Sequence, residues 1–132
     1  MSPARWRQFR AGVLVAHALV ELAVAVLMWA DPGVFGLPTD PTTAALARSF
    51  GVGAGSVGLL SLFLLRFGGG TGAAAGLLTL AGYQAGIFVT QLLDPMKGVP
   101  PWVGPVFHGL FVAAFLLLAD RARRRADEVG VE

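Results

Sequence analysis

At 132 residues with 55% hydrophobic content and a mean hydropathy of +0.69, the chain is far too apolar for an ordinary soluble domain. It contains no cysteine, which excludes disulfide relays, thiol catalysis, iron–sulfur ligation and Cys-based zinc sites. The net charge of +2 comes from arginines that flank apolar blocks, so the basic residues read as membrane-topology signals and not as a nucleic-acid surface.

In chain order, residues 1–10 form a short basic leader, and the first helix is expected over Ala11–Ala30. That stretch is apolar except for His17 and Glu21 and is stopped by Asp31-Pro32. At about 1.5 Å per residue it spans a hydrocarbon core of about 30 Å. It is longer than a signal-peptide core of roughly 7–15 residues and ends without a small-x-small cleavage site, so it is expected to be a retained anchor. A loop rich in Pro and Gly follows, from Asp31 to Thr39.

Asp40-Pro41 opens the second helix, with Asp40 as N-cap and Pro41 at the first helical position, where its missing N–H costs nothing. This helix runs to about Leu65 and carries Arg48, then Gly51, Gly53, Gly55, Ser56 and Gly58. After a turn at Arg66–Gly70, a third helix is expected from Thr71 to about Leu93. It contains Gly72-x-x-x-Gly76 and Gly82-x-x-x-Gly86, which match the Gly51-x-x-x-Gly55 spacing and predict close packing of helices two and three. Asp94–Pro100 is a second outer loop, and the fourth helix runs from Pro101-Trp102 to about Asp120. Arg121, Arg123, Arg124 and Arg125 follow, diluted by Asp127, Glu128 and Glu132 in a short tail, while Trp29 and Trp102 fall at the outer interface.

The expected architecture is therefore all-α, a single integral membrane four-helix bundle with helices over 11–30, 41–65, 71–93 and 101–120. Arg5, Arg7, Arg10, Arg66 and the four tail arginines lie on one side, against Lys97 alone in the outer loops. Both termini are then cytoplasmic in a multi-pass protein of a bacterial-type plasma membrane. So strong a bias also argues against a dual-topology pump.

One polar residue per helix arrives at nearly the same depth by counting from the outer helix ends. Glu21 lies nine residues before Ala30 and Gln84 nine before Leu93, each about 13 Å down at 1.5 Å per residue. Arg48 lies seven after Pro41 and His108 seven after Pro101, each about 10 Å down. A buried carboxylate must be protonated, paired or cavity-facing, and the simplest pairing is Glu21 with Arg48. His108 and Gln84 would complete the hydrogen bonds, with Tyr83, Thr90 and Gln91 nearby and His17 one turn from Glu21 on the same face.

Two readings stand side by side: an interhelical clasp that binds nothing, and a ligand pocket built around it, with catalysis a distant third. Haem held by His17 and His108 is disfavoured, because their depths differ by roughly 10 Å while axial ligands must meet one iron.

Residues 11–120 resemble the small four-helix membrane proteins of the DoxX-like group. The likeness rests on Asp31-Pro32 with Phe35-Gly36-Leu37-Pro38, on Ala47-Arg48-Ser49-Phe50-Gly51-Val52-Gly53, and on His108 early in the last helix. It implies an accessory membrane role near respiratory or thiol redox complexes; with no cysteine here, the thiol-linked part has no residue to carry it. A more distant architectural likeness is to the emopamil-binding, sterol-isomerase-like four-helix proteins, whose further acids and histidines are not matched.

The expectation from sequence is a non-enzymatic protein. An outer-leaflet pocket of Glu21, Arg48, Gln84 and His108, with His17, Tyr83 and Gln91 around it, would hold a hydrophobic molecule with a polar head, such as a quinone, isoprenoid or lipid. The alternatives are an accessory subunit that docks a membrane partner or a second copy, and, ranked lower, a proton-coupled carrier or isomerase-like enzyme using Glu21.

Overall fold

In the computed structural model of the protein, residues 2–38, 40–93 and 100–129 are described, apart from the side chains of Thr71 and Val129. Lys97, Glu132 and most of the expected outer loop, residues 94–99, lie outside them. The described residues are all-helical: α1 is Pro3–Ala30, α2 Pro41–Phe67, α3 Gly70–Leu93 and α4 Val103–Val129. All four are long and apolar enough to cross a membrane, as a multi-pass membrane protein requires.

Helix ends follow local chemistry. The basic leader is helical, because the Ser2 hydroxyl accepts from the Arg5 N–H and Pro3 takes the first turn. At the other end of α1, the Asp31 carboxylate accepts from the Gly33 N–H and starts a single 3₁₀ turn, Pro32–Phe35. Gly36 closes that turn at φ +70, a left-handed conformation that costs glycine nothing.

Asp40 caps α2 by accepting from the N–H groups of Thr42 and Thr43. Hydrogen bonds from Thr43, side chain and backbone, together with Thr42, hold its carboxyl below the ordinary carboxylate value. The last helix does not stop at Asp120. No Pro or Gly interrupts the tail before Gly130, and Asp120 pairs with Arg123 and Arg124 one turn on, so the arginines continue α4.

The chain forms two compact units, residues 1–65 and 66–132. In the first, α1 and α2 form an antiparallel hairpin whose register is written by glycines. A Cβ on Gly51 would lie 3.0 Å from Met28 Cβ and 3.1 Å from the Ala25 carbonyl, and one on Gly58 would lie 3.1 Å from Leu22 and 3.3 Å from Glu21. Gly55 faces Ala25 in the same way. The buried stripe of α2, from Ala47 through Gly51, Ala54, Gly58 and Ser61 to Leu64, advances by three and four residues, so one face of the helix meets its neighbour. At the far end Arg10 donates to the carbonyl of Leu64, one of the groups an α-helix C-terminus leaves open.

The second unit is the α3–α4 hairpin. Its close contacts come from side chains laid on glycines: the Gln91 carboxamide on Gly104 and the Phe88 ring on Gly109. By contrast a Cβ on Gly72, Gly82 or Gly86 would meet nothing within 4 Å. Gly51 and Gly55 lie against α1, and a four-residue spacing by itself does not say which helix will use it.

Candidate functional site

Glu21 is 3% exposed, and its partner lies within its own helix. One turn before it, His17 is fully buried and places Nε2 3.5 Å from Glu21 Oε1. On the facing helix Ser61, also fully buried, stands 2.8 Å from His17 Nδ1. The Ser61 hydroxyl donates its proton to the Val57 carbonyl, so its oxygen accepts from His17 Nδ1–H. Nε2 is thereby directed at Glu21, and a single proton on the Nε2–carboxyl pair leaves it neutral overall, the arrangement a membrane interior favours.

Sequence reasoning missed Ser61. Its signal was its place on the stripe that runs through Gly51, Ala54 and Gly58, where any hydroxyl must face α1.

Arg48 is not part of this group. Gly58 marks the level of Glu21, and Arg48 lies ten residues away along α2, about 15 Å at 1.5 Å per residue. It is exposed and makes no ion pair among the described residues. The depth count misplaced it because it set Pro41 level with Ala30. In fact Gly51 is the residue that lies against Met28 and Trp29, so α2 extends about two turns beyond the end of α1. The expected Glu21–Arg48 pairing, and the clasp built on it, is replaced by the His17–Glu21 pair within α1.

Near Arg48 along α2 lies a groove. Between α1 and α2 an open cavity of about 610 Å³ is walled by Val26 and Trp29 on one side and Val52 and Leu59 on the other, with Gly51 and Gly55 in its wall. The missing side chains of these glycines leave the space. Arg48, Val52, Gly55 and Leu59 follow one another at i, i+4, i+7 and i+11, so Arg48 shares the groove's face of α2, one turn beyond its outer end. Trp29 is 57% exposed at that same end.

In the α3–α4 hairpin the structure does bring two of the expected residues together. Gln84 is fully buried and its Oε1 is hydrogen-bonded to His108 Nδ1. His108 itself is half-buried, with its ring edge-on to Phe107 at 5.3 Å. Tyr83 and Gln91 are half-buried on the same hairpin, whereas the Thr90 hydroxyl is spent on the Ile87 carbonyl. No group of three or more His, Asp or Glu side chains that could hold a metal ion occurs among the described residues.

No known protein family, curated protein or solved structure matches this chain.

Proposed function

We propose that this multi-pass membrane protein binds an amphiphile with an anionic head, its tail in the α1–α2 groove and its head on Arg48. The observation that carries this reading is an open, apolar groove with a lone guanidinium in line with it, one turn beyond its end. Lipid tails are as apolar as Val26, Val52 and Leu59, so filling the groove gains packing but little hydrophobic free energy. Selectivity then falls to the head group. A guanidinium presents a planar fork of donors that suits a phosphate or carboxylate through two parallel hydrogen bonds. Trp29 stands at the same end, where an amphipathic ring suits the head-group level.

With the arginine-rich side cytoplasmic, this end of the groove lies in the outer leaflet. The DoxX-like resemblance enters through Arg48-Ser49-Phe50-Gly51, the segment that leads into the outer end of the groove at Gly51. The reading is of a binding protein and assigns no chemical step.

Mass spectrometry of molecules that co-purify in mild detergent tests it. Wild type should retain an anionic amphiphile. Arg48→Gln should reduce it at least tenfold, as loss of a charge-assisted hydrogen bond worth about 1.5–3 kcal/mol implies. Gly55→Leu, which fills the groove, should remove the tail site without touching the head contact. Equal retention in wild type and both folded variants overturns the reading.

A further inference from the structure

We infer that the α3–α4 hairpin carries a second binding site, in which His108 Nε2 accepts a hydrogen bond from the hydroxyl of a hydrophobic alcohol or phenol. The chemistry begins at Gln84. A carboxamide oxygen can only accept, so the Gln84 Oε1 contact requires the proton to sit on His108 Nδ1. In the neutral ring Nε2 then bears a lone pair, and among the described residues nothing donates to it. Gln84 is fully buried, so this acceptor is held in place from beneath.

The surroundings select the donor. His108 is five residues into α4, about 7.5 Å along the helix from Val103, on the apolar part of a helix long enough to cross a membrane. Phe107, edge-on to the His108 ring, is itself edge-on to Phe111 at 5.2 Å, and the next contact stacks Phe111 on Phe115. An acceptor on such an aromatic wall is costly to leave unmet where water is scarce, and a neutral O–H meets it without bringing a charge into the membrane. Gln91 adds the second contact. Its carboxamide lies on Gly104, one helical turn before His108, and a side chain at 104 would displace it, since a Cβ there would come within 2.5 Å of Oε1. Gln91 makes no hydrogen bond to another described residue, so its NH₂ is available to the oxygen of the same hydroxyl. His17 offers no such site, because Ser61 and Glu21 occupy both of its ring nitrogens.

The full chain has only two histidines, which makes ¹⁵N-histidine NMR in detergent micelles decisive. His108→Gln assigns the signals, and pH 8 keeps an ordinary imidazole neutral. The probe is 4-dodecylphenol, with 4-dodecylanisole as the ether that cannot donate. Wild type is expected to show a protonated Nδ1 and bare Nε2 at His108, and the phenol to move the Nε2 resonance saturably while the anisole does not. Gln84→Leu should release the tautomer and weaken the phenol about fivefold, and Gln91→Leu should weaken it by a similar factor with the tautomer retained.

An Nε2-protonated ring in wild type overturns the inference, as do equal shifts from phenol and anisole, or an Nε2 signal that phenol leaves unmoved because water already holds it. Arg48→Gln should leave this titration unchanged, so the groove reading and this one fail separately.

Discussion

The two helical hairpins close in different ways. In α1–α2 the glycines meet backbone and the roots of side chains: Gly51 faces the Ala25 carbonyl and the Cβ of Met28, and Gly58 faces the Cγ of Leu22 and the Cβ of Glu21. In α3–α4 the contact is cushioned by Gln91 and Phe88, which lie across Gly104 and Gly109. Backbone cannot step aside, whereas the end of a flexible side chain can. The histidines differ in parallel, since His17 has both ring nitrogens engaged within a buried chain and His108 has one. One hairpin is built to hold its shape, and the other keeps an adjustable polar surface.

The sharpest way to break this comparison is Gly51→Leu. Its side chain has no room against Met28 and Ala25, so the variant should lose about 3 kcal/mol of stability, read as a lower midpoint in detergent-induced unfolding. Gly86→Leu, in open space, should unfold like wild type. Equal losses would show that the glycine contacts do not distinguish the hairpins.

A smaller effect is expected from Glu21→Leu, which strands His17 Nε2 in the interior at a cost of about 2 kcal/mol. Adding His17→Leu should cost less than the sum of the two single changes, since the pair is removed together. Strict additivity in thermal unfolding would deny the pairing.

Gly104→Ala should change stability by no more than about 0.5 kcal/mol, because Gln91 can rotate off the new methyl. A loss as large as that of Gly51→Leu would mean that Gln91 is as fixed as backbone.

Smallest of all is the fully exposed cap. Hydrogen bonds from Thr43 and Thr42 lower the folded-state value of Asp40, so its contribution is complete above the unfolded carboxylate value. It is lost as the pH falls through the lower folded one. The Thr43 amide resonance should therefore move with acid in wild type and hold still in Asp40→Asn, where the cap is kept without a titrating group.

Much of the fold was legible because it is local. Asp31-Pro32 and Asp40-Pro41 stop and start helices through groups within three residues of one another, and an apolar run of twenty residues predicts a span whatever its neighbours. Helix lengths were less so. A hydropathy count ends where charges begin, although Ser2 and Asp120 carry α1 and α4 through their arginines.

The candidate site was half legible. Counting from helix ends served Gln84 and His108, whose helices meet with Gln91 against Gly104 near the ends from which the count was made. It failed for Glu21 and Arg48, because nothing local to either helix shows that α2 extends two turns past α1. The groove was invisible for the same reason, being made by what Gly51 and Gly55 lack once α1 lies beside them.

The sequence by itself determined the helices, their caps and the fact that Glu21 needed a partner, since each depends on residues within a turn or two. Only the tertiary structure decided that Ser61 engages the other ring nitrogen of the His17 that pairs with Glu21, and that Arg48 stands one turn beyond the end of an apolar groove. Both depend on the register between helices, which many weak contacts fix together and no single residue announces.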